Sequence, residues 1–364
     1  MRFKYFLFSA LFAFLMIGCN SNDNKSIKIG VDLPLSGKLS YYGKEVKNAL
    51  TIVQKHNPQS GIQFVFEDNQ SEASNSVTVF NKLAMDKNTP IIISCNSPLS
   101  VPLRPLAESS KKVLLALVTG ARDFGILNKW SFRDAINQDQ EGEILANYLI
   151  KKTDLRKGVT FVVNDDYGLG GASSFKSNFI SLGGQILAEE TFDMNERDLR
   201  SKIIKLEKVK PDFIFLVGRE QTIISSIKQI REIDKTIPII TSDAFESPTV
   251  FEGLGELVKG IVFASYYNNF ESEQGKQFLN DFKKEFGTKP GIYATDAYVA
   301  GTYLDSLINK SGNNSEKLQE LLSTMKYDSP IKGKLYVHPK RDVISPDAVY
   351  KINENMEKVS LYGF

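Results

Sequence analysis

The sequence is short of the residues that staple, ligate and catalyse. Its 364 residues include 2 cysteines, 2 histidines and 1 tryptophan. Two cysteines allow at most one disulfide, so the chain is no disulfide scaffold. With only His56 and His338, a zinc site would need an all-carboxylate shell, and a nucleophile–histidine pair would have to recruit one of these two. His56 ends an amphipathic stretch and His338 precedes Pro339 after a short strand, so both are expected at the surface. An excess of one charge is missing as well. Against 45 Lys+Arg stand 43 Asp+Glu, which gives no electrostatic reason to prefer nucleic acid. Gly168-Leu169-Gly170-Gly171 opens like a dinucleotide fingerprint but lacks the third glycine at its spacing. Lys202–Lys210 is basic and amphipathic and reads as a solvated helix face. Catalysis, a metal site and an organic cofactor are therefore not expected.

The chain has one long apolar run at its start, Tyr5–Ile17, broken only by Ser9. A helix that spans a bilayer takes about 20 apolar residues, whereas a signal-peptide core takes about 7–15. Arg2 and Lys4 precede the run, and Leu15-Met16-Ile17-Gly18-Cys19, which resembles a bacterial lipobox, ends it. The expectation is a lipoprotein signal over residues 1–18, a lipid on Cys19, and a polar tether over 19–26. An ordinary secretory signal with an incidental cysteine is the plainer alternative. Loss of Arg2 and Lys4 would leave basic and acidic residues equal in number. Cys95 would then be the only thiol. It ends the apolar segment Pro90–Ser94 and is expected to pack as a small hydrophobe.

Periodicity sets the architecture. Ile27, Ile29, Val31 and Leu33 alternate with other residues as a strand does, and Val46, Ala49, Leu50 and Val53 follow at helical spacing. Strands at Ile62–Phe66, Pro90–Ser94 and Val113–Leu117, with a helix near Val77–Met85, give a βαβαβ rhythm. The rhythm restarts with a helix over Gln140–Lys151 and a strand over Val159–Asn164. A helix over Ser174–Leu182, closed by Gly183-Gly184, and a strand over Asp212–Val217 continue it. The fold class is α/β, with two Rossmann-like lobes of similar plan. In such sheets ligands sit beyond the carboxyl ends of the strands, so the residues just after each strand are the candidates.

Those residues carry a resemblance. Ile27-Lys28-Ile29-Gly30-Val31-Asp32-Leu33-Pro34-Leu35-Ser36-Gly37, then Tyr42-Gly43, is similar to the opening of leucine/isoleucine/valine-binding proteins. Pro105-Leu106-Ala107-Glu108, Phe132-Arg133 and Asp166-Tyr167-Gly168-Leu169-Gly170 follow in order. So do Pro211-Asp212-Phe213, Ser242-Asp243 and Glu256-Leu257-Val258-Lys259-Gly260. The family is that of type I periplasmic binding proteins, which serve ATP-driven importers. The resemblance implies two lobes joined by a three-strand hinge, with crossovers near Asn137, Tyr267 and Val337–Pro346. Residues 27–137 with 267–337 would form the N-terminal lobe, and 138–266 with 338–364 the C-terminal lobe. It also implies an exported, lipid-anchored monomer in the cell envelope that captures an amino acid or similar small polar metabolite and meets an ABC permease. A ligand-sensing envelope lipoprotein on the same fold is the alternative.

The resemblance further assigns a ligand site. Ser97 falls on the carboxylate-binding serine, although it could simply cap a helix begun by Pro98. Thr119 and Ala121 fall on positions that meet the ammonium and carboxylate, subject to a one-residue shift near Lys111-Lys112. Tyr167 falls on a tyrosine that covers the ligand, Asp243 on an ammonium-binding carboxylate, and Tyr42 on an aromatic lid; each could equally be a turn or packing residue. Arg219 stands where leucine-binding relatives carry an aromatic. If it points inward its planar fork suits a second carboxylate, so the ligand is expected to bear an extra acidic or polar group. A solvated arginine beside Glu220 is the plainer alternative.

Overall fold

The structure, a computed structural model, describes residues 26–121, 124–135 and 138–362. The expected signal, Cys19, all of the tether but Ser26, and the first crossover at Asn137 lie outside the described residues. Among the described residues there are fifteen strands. They are β1 (Ile27–Leu33), β2 (Ile62–Asp68), β3 (Ile91–Cys95), β4 (Val113–Leu117), β5 (Ser131–Asp134), β6 (Lys157–Val163), β7 (Gln185–Phe192) and β8 (Phe213–Val217). After these come β9 (Ile239–Thr241), β10 (Val262–Tyr266), β11 (Lys326–Ser329), β12 (Gly333–Val337), β13 (Val343–Ile344), β14 (Asp347–Ile352) and β15 (Lys358–Tyr362).

Two sheets share one plan. The first has the order β2-β1-β3-β4-β5, all parallel. The second repeats that order as β7-β6-β8-β9-β10 and adds β14 and β15 antiparallel at its edge. Strands β3, β4 and β8 are buried along their whole length, because helices cover both faces of a parallel sheet. That is why they read as unbroken apolar runs. Each sheet has its own core. The first gathers β1, β3 and β4 with the helices Glu273–Phe286, Ile292–Ser311 and Ser315–Ser323, and the second gathers β6, β8, β9 and β10 with β14. The α/β two-lobed expectation is met. Within the described residues no helix is long and apolar enough to cross a membrane.

Some boundaries moved. Val343 packs in the first core, and β13 pairs with β12. The helix expected over Ser174–Leu182 begins at Asp166, because Asp165 caps it by accepting the Gly168 N–H at 2.9 Å. Its glycines are there for close approach. A Cβ on Gly168 would collide with the Val163 carbonyl, and one on Gly170 with the Gln138 side chain. His56, expected at the surface, is mostly buried between Tyr298 and Asp281, at 2.9 and 2.8 Å. Cys95 is fully buried, and burial pushes its thiol well up.

Arg133 ties the passages together. It ends the first sheet on β5, is 0 % exposed, and holds Asp342 through Nε at 3.0 Å and Nη2 at 2.8 Å. Its Nη1 donates to the Ala121 carbonyl. Tyr267 N–H donates to the Pro346 carbonyl at 3.1 Å, joining the second and third passages. Removing one partner of a buried pair strands the other charge. Arg133→Met is therefore expected to lose about 3–5 kcal/mol, and Arg133→Met with Asp342→Leu to recover most of it; shifts in urea midpoint for the three proteins check this.

Candidate functional site

The two sheets point the carboxyl ends of their strands at one another. In the first lobe the turns after β3 and β4 are tight. Asn96 (φ 70°) and Val118 (φ 51°) both sit in left-handed conformations, which a β-branched residue rarely adopts. Side chains lace these turns. Ala121 N–H donates to Ser97 Oγ at 3.1 Å, and Thr119 Oγ1 lies 2.9 Å from the Leu117 carbonyl and 3.2 Å from Ser100 Oγ. In the second lobe Tyr167 stands in the first turn of the helix after β6, with its hydroxyl 2.8 Å from Ser242 Oγ and 3.1 Å from Asp243 Oδ1. Gln138 Nε2 donates to the Tyr167 carbonyl. The Asp243 N–H donates to Glu141 Oε1 at 2.7 Å.

Arg219 follows β8 and caps the helix Glu220–Ile233 through its backbone, donating N–H to Thr222 Oγ1 at 2.8 Å. Its side chain turns inward and is 9 % exposed. Nη2 and Nε reach Asp165 Oδ2 at 3.0 and 3.3 Å, and the guanidinium lies 5.0 Å from the Tyr167 ring and 5.9 Å from Tyr42. The solvated alternative is thus overturned. Burial opposes its charge, but Tyr42, Asp165 and Tyr167 together raise its pKa.

These parts line a narrow cleft between the two sheets. The first lobe contributes Tyr42, Val118, Gly120, Tyr293 and Asp296, and the second Glu141, Tyr167, Arg219, Asp243 and Tyr266. Of the expected residues, Tyr42, Tyr167, Arg219 and Asp243 come together on its wall. Ser97, Thr119 and Ala121 do not line it. They are buried behind the wall, bonded as described, and Val118 and Gly120 take their place. The reason is local. Lys111 forms a left-handed cap on the helix Arg104–Ser110 (φ 52°), and the left-handed turn at Val118 directs the Thr119 hydroxyl back onto Ser100. Glu141, Tyr266, Tyr293 and Asp296 were missed. Tyr293 and Asp296 are three apart on the helix Ile292–Ser311.

Burial dominates the electrostatics. It pushes the Asp243 carboxyl up to about 6, with Glu246 adding and Tyr167, the Ala244 N–H and Arg219 opposing. It pushes Glu220 and Asp296 to about 7, and likewise Glu45 and the fully buried Asp32. A raised carboxyl binds its proton more tightly in the folded chain than in the unfolded one. These groups therefore add stability below about pH 4 that is lost as pH rises through about 6–7. Asp68, Asp86, Glu196 and Asp234 are lowered and act the other way, below their unfolded values near pH 4. The unliganded protein is expected to melt at a higher temperature at pH 5.5 than at pH 8, and Glu220→Gln to narrow the gap, as scanning fluorimetry would read.

A cleft between two like lobes, closed by residues from both, defines a ligand-binding protein of the two-lobed class. The sequence comparisons agree. A family model described as periplasmic binding protein matches residues 26–356. The chain belongs to the type I periplasmic binding protein family. It is 22% identical over 338 residues to the Leu/Ile/Val-binding protein homolog 2 of Brucella abortus (strain 2308), covering 90% of each chain. It is 24% identical over 299 residues to the Leu/Ile/Val-binding protein BraC3 of Rhizobium johnstonii, covering 79% of this chain and 80% of the relative. Among solved structures, the leucine-binding protein LivK of Thermotoga maritima matches with a TM-score of 0.83 at 23% identity, over 92% of this chain and 97% of that one. A solute-binding protein of Rhodopseudomonas palustris BisB5, in complex with 3,4-dihydroxybenzoic acid, matches with a TM-score of 0.83 at 22% identity, over 93% of this chain and 97% of that one. These relatives are named as binding proteins, not enzymes, and the structural likeness at such identity speaks for the fold.

Proposed function

We propose that the protein captures a small polar metabolite, an amino acid or a relative of one, and presents it to an ABC importer. The observation that carries this is the cleft itself: its walls come from both lobes, so a ligand inside it is held only while the lobes are closed. Affinity then arises from closure rather than from any reaction. Asp243 and Glu141 supply negative charge for an ammonium, and Tyr42 and Tyr167 cover the ligand. Ser97 Oγ and the Ala121 N–H can serve a carboxylate only by giving up their mutual bond. The lobes divide at the passages after Asp134, Tyr266 and Ile344, the first core taking Val343 with it.

Export and a lipid on Cys19 complete the reading. A short polar tether would keep the receptor close to the membrane, where a permease meets it at high effective concentration. One receptor per ligand needs no second copy, so a monomer suffices.

Gly120 offers a test of closure. A Cβ there would lie 3.1 Å from the Tyr167 ring and 3.2 Å from the Gln138 side chain, both on the opposite lobe. Gly120→Val is expected to hold the cleft open, weakening whichever of lysine, leucine or glutamate binds the native protein by at least tenfold, without lowering the unliganded melting temperature. Calorimetry and fluorimetry check the two halves. Unchanged affinity in Gly120→Val would mean that the closed cleft is not the bound state.

A further inference from the structure

We propose that the cleft takes an organic cation, a small molecule bearing more ammonium or guanidinium charge than carboxylate, such as a diamine or a basic amino acid. This rests on the cleft being the ligand site, as proposed above, and adds the charge of what it binds. The argument begins with which charges at the site are already matched. Arg219 is held by Asp165 at 3.0 Å. Lys332, 0 % exposed, is held by Asp296 at 2.8 Å and lies 3.7 Å from the Tyr266 ring, with Asp134 as a further negative neighbour. Each of these two cations thus has a carboxylate of its own. Asp243 has no ion pair among the described residues; its oxygens meet Tyr167 and the Ala244 N–H, both neutral donors. Glu220, buried beside Arg219, also has no ion pair there, and its Oε1 has no hydrogen bond. Among the described residues, Asp243 and Glu220 thus leave the site with negative charge that no cation pairs.

That excess lies across the gap between the lobes. Asp243 of the second lobe acts on Asp296 of the first, and Glu220 of the second acts on Glu45 of the first. Closing an empty cleft brings these carboxyls together in surroundings of low dielectric, where they repel one another or must take up protons. A cation between them turns each repulsion into an attraction, so the same motion that encloses the ligand becomes favourable only when the ligand is positive. The aromatic lining points the same way. Rings already draw cations here, Arg219 lying over Tyr42 and Tyr167 and Lys332 over Tyr266, and Tyr293, packed edge to face on Tyr42 at 5.1 Å, adds a fourth ring to the wall. The Tyr42 hydroxyl, buried beside Arg219 and Glu220, makes no well-formed hydrogen bond to either, and it offers an acceptor to an N–H of the ligand. An extra acidic group on the ligand, expected from Arg219 in the sequence, is disfavoured. Asp165 already neutralises that guanidinium, and a second carboxylate would join an acidic wall.

Calorimetry on protein lacking residues 1–19, with putrescine, lysine, leucine and glutamate as probes, tests the assignment. Lysine or putrescine is expected to bind at least tenfold more tightly than leucine and glutamate. Asp243→Asn is expected to weaken the cationic probe at least tenfold while leaving glutamate unchanged or improved. Its melting temperature, measured alongside, separates lost binding from lost folding, and Glu220→Gln, with the same expected sign, stands in if Asp243→Asn does not fold. Leucine or glutamate binding as tightly as the best cation would overturn the charge assignment and leave the cleft as a ligand site. Binding of no probe of any charge would overturn both.

Discussion

The structure depends on one buried guanidinium. Arg133 sits where the first sheet ends and the chain leaves for the second lobe, and water does not reach it. A charge in that position is tolerable only when its hydrogen-bonding capacity is met. Asp342 meets it from near the end of the chain, and the Ala121 carbonyl meets it from the turn beneath the cleft. One side chain therefore sets the distance between the first passage, the segment before the third, and the loop after β4 that forms the cleft wall. The pair need not add net stability over a well-packed apolar substitute. Its consequence is geometric, since a planar fork bound by two carboxylate oxygens accepts few relative orientations of the strands that carry it.

A second buried network begins beside the first. Asp134 follows Arg133 directly, accepts the Tyr303 hydroxyl at 2.8 Å, and feels Lys332. Lys332 pairs with Asp296 on the cleft wall and lies under Tyr266, the last residue of β10 before the second passage. The passages and the ligand wall are thus connected through charged groups in a dry interior. In such surroundings a change of charge at Asp296 is felt farther than it would be in water. This gives a physical path by which occupancy of the cleft can bear on the angle between the lobes, without any long mechanical linkage.

Much of the frame was readable from the chain. Strands β3, β4 and β8 announce themselves as short apolar runs, because a parallel sheet covered on both faces leaves no polar side to alternate with. The amphipathic helix after β1 shows itself through Val46, Ala49, Leu50 and Val53. Other elements were silent. Strand β5 is only four residues, Ser-Phe-Arg-Asp, with a charged residue buried in it, and no periodicity would nominate it. The first turn of the helix after β6 hides in a glycine-rich stretch whose glycines exist for contacts with Val163, Gln138 and Val217, not for a turn. At the site, Tyr42, Tyr167, Arg219 and Asp243 were legible because they follow strands or resemble a known pattern. Glu141, Tyr266, Tyr293 and Asp296 were not, since each joins the cleft from an element whose orientation no local signal reveals.

What the sequence determined by itself was the kind of object: two α/β units of like rhythm. These follow from composition and periodicity, which local chemistry writes directly into the order of residues. What only the tertiary structure decided was the sign of the cleft. Arg219 read alone promised a positive site. Its meaning reversed once Asp165 was found against it and the carboxylates Asp243, Glu141, Asp296 and Glu220 were found around it. Those residues are far apart in the chain, and electrostatic balance depends on distance in space and on the exclusion of water, neither of which is a property of the order of residues.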